Sequence, residues 1–202
     1  DSSGSTGTFT DPRDDQTYTT IDIGSQTWFA ENLNYNTGDG NNNSWCYDNN
    51  GSNCDIYGRL YTWEAATSAC PDGWHLPSDD EWTTLIDFLG GEDVAGGKMK
   101  ETGTTHWNSP NTGATNSSGF TALPGGYRNT NGDFYSRGGY GDWWSATEYS
   151  STSAWNRSLN YKDGKVDRSG YGSKEYGFSV RCVLDSSGST GTFTDPRDDQ
   201  TY

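Results

Sequence analysis

The chain is poor in the residues that usually build a core. Apolar residues, Tyr and Cys included, make up only 29% of its 202 positions, with a single Met. Such scarcity excludes a bundle of long helices packed on aliphatic stripes. Basic residues are scarce too: 13 Lys and Arg stand against 28 Asp and Glu, a net charge of −15. A surface of that sign repels phosphates and excludes nucleic acid as a partner. No apolar run approaches the ~20 residues that cross a bilayer, and no leader is recognisable. The chain opens inside a Ser/Gly segment and so reads as an excerpt of a longer precursor. It holds only two His, and no nucleophile–His–acid set, P-loop or dinucleotide fingerprint, so no enzymatic activity is expected.

Aromatic residues take the place of the missing aliphatics. Nine Trp and thirteen Tyr raise the aromatic share to 14%, and rings bury large area per residue. Asn, Gly, Ser and Thr fill much of the remainder. The expectation is a folded domain of short elements and long ordered loops. Its acidic surface would attract divalent cations and discourage side-by-side clumping.

The strongest signal is a duplication. Asp1–Tyr18 reads DSSGSTGTFTDPRDDQTY, and Asp185–Tyr202 repeats it letter for letter. The offset from Asp1 to Asp185 sets a period of 184 residues, ample for one domain with a real core. The chain therefore reads as one unit of a tandem array plus the start of the next. Residues 1–8 are expected to be a flexible or extended linker, 9–184 the domain, 185–192 the next linker and 193–202 the opening of the following copy.

Within the domain, Thr17–Ile23 alternates as a strand and Gln26–Ala30 returns after a Gly24-Ser25 turn. Asn34–Asp55 is a long Asn/Asp/Gly loop, and Leu60–Ala69 a short helix. Ser78–Gly90 carries the clearest helix signature. Ser78 and Glu81 form a capping box, and Trp82, Leu85, Ile86 and Leu89 recur at helical spacing. Asn131-Gly132 between Gly126–Arg128 and Asp133–Ser136 marks a hairpin. Trp143–Thr147, Ser153–Leu159, Lys165–Arg168 and Gly177–Val183 read as further strands. Two short helices set apart from antiparallel strands make an α+β fold.

Four cysteines fit an oxidising compartment. Among three connectivities, proximity favours Cys46–Cys54 and Cys70–Cys182. On the chain-entropy account the long loop contributes roughly 4–5 kcal/mol and the short one about 2.5. A zinc site made of all four is the alternative, but the usual C-x2-C pairs are missing.

The blocks GWHLPSDDEW (Gly73–Trp82), LPGGYR (Leu123–Arg128), WWSATE (Trp143–Glu148) and YGFSVRCV (Tyr176–Val183) resemble the Fibrobacter succinogenes major paralogous domain family. TFTDPRDDQTY, WFAENLNY, WCYDNN and YGRLYTWEAA fit the same pattern, so the resemblance runs from about Thr8 to Leu184. It implies bacterial, often secreted or surface-attached proteins with no assigned enzymatic activity. The blocks are also similar to those of the formylglycine-generating enzyme group. That likeness implies a C-type-lectin-like fold with adjacent termini and a disulfide from the first helix region to the last strand, the role that suits Cys70 and Cys182. An oxidase of that group needs a reactive cysteine pair late in its chain, whereas Cys182 stands alone there.

Calcium-dependent sugar binding in lectins of this fold uses EPN or QPD together with WND. Neither tripeptide occurs, and Trp155-Asn156-Arg157 places a cation where the carboxylate belongs. Trp74, Trp82, Trp143 and Trp144 read as core, and exposed rings elsewhere remain available to stack on sugars. Asp48, Asn50 and Ser52 alternate as calcium-loop ligands do, although Asn53 stands where a Gly is expected. A solvated, disulfide-pinned loop is the competing reading. No cofactor is required, and calcium is the one candidate. His75, inside a family block, reads as a packed, hydrogen-bonded residue. Ser2, Ser3, Ser5, Thr6 and Thr8 are candidate O-glycan sites, and Asn42, Asn50, Asn116 and Asn156 open N-x-[ST] sequons.

The reading that follows is a structural repeat of an extracellular bacterial filament or fibrous adhesin. Its partners are neighbouring copies, engaged through the linker and through Phe193, Thr194 and Tyr202 of the incoming segment. A carbohydrate-binding or adhesive module is the alternative, with glycans as partners. A domain roughly 40 Å across and a linker reaching at most ~25 Å put the axial repeat at about 40–65 Å.

Overall fold

The computed structural model describes residues 4–38 and 43–186. The candidates Ser2, Ser3, Asn42, Phe193, Thr194 and Tyr202 lie outside those residues, as do 187–192 of the expected second linker and all of 193–202. The described residues form an α+β domain. Its first sheet contains β1 (Thr6–Thr10), β2 (Thr17–Ile23), β3 (Gln26–Phe29), β6 (Trp74–His75) and β13 (Val183–Leu184), in the order β1-β2-β3-β13-β6. The second contains β4 (Ser44–Trp45), β5 (Leu60–Tyr61), β9 (Tyr140–Glu148), β10 (Ser153–Asn160), β11 (Asp167–Ser173) and β12 (Phe178–Ser179), in the order β11-β10-β9-β12-β5-β4. Pairing is antiparallel except between β9 and β12. The hairpin β7 (Tyr127–Arg128) and β8 (Phe134–Tyr135) closes over the Asn131-Gly132 turn.

Among the described residues there are four α-helices rather than the two expected: α1 (Gly51–Tyr57), α2 (Trp63–Ala66), α3 (Asp79–Phe88) and α4 (Glu92–Met99). α3 begins with the capping box read from the sequence: Ser78 Oγ accepts from the Glu81 N–H, and Glu81 Oε2 accepts from the Ser78 N–H. The helix expected over Leu60–Ala69 is shorter, because Leu60 and Tyr61 pair with β4 and β12 and are drawn into the sheet. The last expected strand is split: β12 lies in one sheet and β13 in the other, so the chain crosses between them at Val180–Cys182.

Residues 6–8, expected as linker, are strand. Thr6–Thr10 alternates β-branched residues with Gly7 and Phe9, and the Phe9 ring seats 5.8 Å from Phe29 and 5.4 Å from Trp74. That anchor and the open edge of β2 supply what composition alone did not show.

Adjacent rings feed two separate cores. Successive strand residues point to opposite faces. Trp28 and Trp143 therefore enter one cluster with Trp82, Trp107 and Phe120, while Phe29 and Trp144 enter the other with Tyr18, Tyr61 and Phe178. Trp74, Trp82, Trp143 and Trp144 are all buried, as the sequence suggested. Cutting any fully buried indole back to Ala would cost roughly 3–5 kcal/mol.

Candidate functional site

The end of the first sheet that carries the β2–β3 turn also receives the chain and releases it. Thr6 stands opposite Ile21, Ile21 opposite Trp28, and Trp28 opposite Val183. The start of β1 and the end of β13 thus lie level, three strand spacings apart, or ~14 Å. Each is held. The Asp22 N–H donates to the Ser5 carbonyl at 2.9 Å. Gly4 lies so close to β2 that a Cβ there would fall 1.6 Å from the Asp22 carbonyl oxygen. On the outgoing side, the Asp185 N–H donates to Gly73 O, and the Asp185 carboxylate lies 2.6 Å from His75 Nδ1. His75 Nε2 lies 2.8 Å from Glu81, the residue that completes the α3 cap. Burial works against a charged imidazole, but the hydrogen bonds to Asp185 and Glu81 outweigh it and hold the His75 pKa above its ordinary value. The imidazole, hydrogen-bonded through both ring nitrogens, therefore pins the outgoing chain to β6 and α3.

The incoming segment has its own clip. Asp11 is wholly buried, and Arg13 binds it through Nε and Nη2 while also donating to Ala69 O at 2.9 Å. Burial opposes the Asp11 charge, yet the Arg13 hydrogen bonds keep its pKa below the usual carboxylate range. The Arg13 guanidinium lies 3.7 Å from the Tyr35 ring centroid. The neighbouring disulfide, Cys70–Cys182, joins the end of the α2 region to the approach to β13, and Cys46–Cys54 staples the 3-10 turn at Tyr47–Asn49 to α1. Both pairings match those favoured from the sequence.

The remaining sequence candidates are scattered. Asp48 is exposed in the 3-10 turn, and Asn50 caps α1 by accepting from the Ser52 N–H at 3.1 Å. One lone pair of that amide oxygen is thus used by the backbone. Among the described residues no group of three His, Cys, Asp or Glu is placed to hold a metal. Ser5, Thr6 and Thr8 are exposed. Asn116 is taken up by Thr121, and Asn156 is a correction: it is 4% exposed within β10, so the folded domain offers no room for a glycan on it. Arg157 of the WND-like tripeptide points inward to Asp79, at 2.6 Å.

A second surface was missed by the sequence reading. Tyr149, 47% exposed, lies edge-on to Trp155 and Tyr171, and Tyr171 is 83% exposed. Arg168 stacks 3.5 Å over Trp155 while binding Asp79. Gly170 leaves room for the Tyr149 ring, since a Cβ there would meet it at 2.5 Å. The aromatic tally alone could not say which rings stay outside.

The model of the Fibrobacter succinogenes major domain matches residues 21–184, most of the chain. The chain belongs to this family. The match runs from the last residues of β2 through β13, hence both disulfides and the His75–Asp79–Glu81 stretch, and stops at Leu184, one residue before Asp185. The family domain described here has no match among curated proteins. Among the described residues, none of its helices is long and apolar enough to cross a membrane.

Proposed function

We propose that this family domain is a structural repeat of an extracellular bacterial filament or fibrous surface adhesin, built on a C-type-lectin-like fold and without catalytic activity. The observation that carries the reading is the identity of residues 1–18 and 185–202. In the first copy that segment supplies β1, the Asp11–Arg13 clip and the first residues of β2. A second copy of the same letters directly after β13 is the opening of another such domain. Support for a lectin-like fold comes from the level ends of β1 and β13 and from the disulfide into the last strand region. Two disulfides support an oxidising, extracellular setting. Cys182 is spent in one of them, which argues against oxidase chemistry.

With the next copy held as the first one is, the free joint spans fewer than eight residues. Asp185 is held by its own domain, and the residue corresponding to Ser5 in the next copy is Ser189. Four peptide steps separate them, at most ~14 Å. With incoming and outgoing chain on one end, domains sit side by side at a spacing near the domain width, ~40 Å, the lower bound of the first range. Electron microscopy of the native material tests this: filaments with a subunit rise at or below about 40 Å are expected. Detached particles the size of one domain would overturn the reading.

The Tyr149–Trp155–Tyr171 surface favours a second role, compatible with the first: binding glycans by ring stacking. A glycan array probed with the chain and with Tyr171→Ala, each with and without chelator, tests it. Binding that Tyr171→Ala abolishes and chelator leaves intact supports stacking; a chelator-sensitive signal points instead to calcium in the Asp48–Ser52 region.

A further inference from the structure

Beside the incoming chain lies a groove of about 1010 Å³, lined by Gly4, Gly24, Phe88, Leu89, Lys98 and Ser118 among others. Its lining is mixed, with Asp22, Ser25, Lys98, Ser117 and Ser118 around one large exposed ring, Phe88; Val94 lies just outside it, near Gly90 and Lys98. Phe88, on the last turn of α3, is 58% exposed, and Val94 on α4 is 48% exposed. The Phe88 ring rests against Gly24, whose positive φ of 64° sets the β2–β3 turn. Asp22, at the groove's edge, has its carboxylate bound by Thr27 at 2.6 Å, and Lys98 is the cation of the lining.

The outgoing corner is the converse. Leu184, the last residue of β13, is 43% exposed, and the half-exposed Asp185 carboxylate stands beside it with Glu81 nearby. In a tandem array, the spacer brings the outgoing corner of one domain to the Gly4 edge of the next. The reach of ~14 Å keeps the corner close to the Gly4 edge, which the groove adjoins. An exposed Leu next to a carboxylate then arrives at a groove holding an exposed Phe and a Lys.

We propose that the groove at Phe88 is the seat of the preceding repeat: Leu184 of one copy packs on Phe88 and Val94 of the next, with Lys98 facing the Asp185–Glu81 corner. The proposal rests on the tandem-repeat reading and adds to it the surface that makes the joint rigid. It also gives one shared role to three exposed apolar side chains, Phe88, Val94 and Leu184.

The test uses the chain continued through a second full period, followed by hydrogen exchange and small-angle scattering. Amides of Phe88–Lys98 should exchange about tenfold more slowly in the second repeat than in the first, whose groove is empty. Leu184→Asp in the first repeat, or Phe88→Ser in the second, should abolish that difference and increase the radius of gyration. Each substitution in the single-repeat chain should leave the melting temperature nearly unchanged, because both side chains are exposed. Equal exchange in the two repeats would overturn the inference, as would protection that survives both substitutions. Filaments in native material alongside equal exchange would sink the Phe88 joint and leave the filament reading standing. Protection in the two-repeat chain with no filaments in native material would do the reverse.

Discussion

Two arginines are buried to the same degree and accommodated in opposite ways. Arg157 and Arg181 are each 1% exposed. Arg157 meets a carboxylate: Asp79 at 2.6 Å, shared with the more exposed Arg168 at 2.7 Å. Arg181 meets none. Its guanidinium donates to Phe29 O, Phe120 O and Thr121 O and to Asn32 Oδ1, and it stacks 4.2 Å from the Phe120 ring centroid. Burial pulls its pKa down to about 9, so it remains charged at neutral pH. Arg157 leaves its Nε without a partner, while every nitrogen of Arg181 has one. Lys100 follows the Arg181 pattern: it is wholly buried and donates to the carbonyls of Thr112, Asn160 and Asp163. An ion pair suffices where α3 meets β10 and β11. Where loops converge between the two sheets, backbone carbonyls have lost their ladder partners, and a cation with several donors satisfies them at once.

That contrast sets an order of expected effects. Arg181→Met should be the most damaging, since it strands three carbonyls and part of the Asn32 acceptor, each worth about 1–3 kcal/mol. A loss of roughly 4–6 kcal/mol in urea unfolding, or no folded protein, is expected. Asp79→Asn should cost about 3 kcal/mol by leaving the Arg157 charge buried beside a neutral amide. If it cost more than Arg181→Met, the carbonyl cage would be the weaker device and the contrast would fail.

Asp142 sharpens the comparison from the anionic side. Burial pushes its carboxyl up to about 7, with the Asp167 charge adding and the Ser158 hydrogen bond opposing. A carboxyl with a raised folded pKa binds its proton more tightly in the native state, so stability falls as pH rises from about 4 towards 7. Asp142→Asn should therefore raise stability by about 1–2 kcal/mol at pH 8 and change little at pH 4. An equal gain at both pH values would show that the charge is not the cause. The smallest effect belongs to Arg168→Ala, at under about 1 kcal/mol, because that arm of the Asp79 network is solvated.

The sequence spoke clearly where a local rule and the tertiary fold agree. The Ser78–Glu81 capping box, the Asn131-Gly132 hairpin and the Cys46–Cys54 pair were readable because each depends on a short-range signature; Cys70–Cys182, 112 residues apart, followed from that local pair and from the family resemblance. α4 was not, since Glu92–Met99 carries Gly96-Gly97 in its middle, a poor helix prospect by propensity. The fold explains them: a Cβ on Gly96 would lie 2.1 Å from the Lys165 carbonyl oxygen, and one on Gly97 2.4 Å from that of Gly113. Those glycines let the backbone of α4 pack directly on two loops. α1 was hidden inside an Asn-rich run whose helix depends on the Asn50 cap and the Cys46–Cys54 bond. Of the candidate site, the duplicated segment announced the joint, but which faces meet there depends on exposures at Phe88 and Leu184 that no spacing rule encodes.

The Cys70–Cys182 bond has a mechanical consequence. A domain pulled through residues 6 and 184 transmits tension along β1 and the following chain to Cys70, then straight across the sulfurs to Cys182 and out. The residues between those cysteines, 112 positions apart, never carry the load and cannot be paid out as slack. Stretching can lengthen only the first third of the domain, and within that third Cys46–Cys54 withholds a further loop. A covalent shunt of this kind caps the extension of each unit: whatever happens to its core, only the chain before Cys70 can be drawn out.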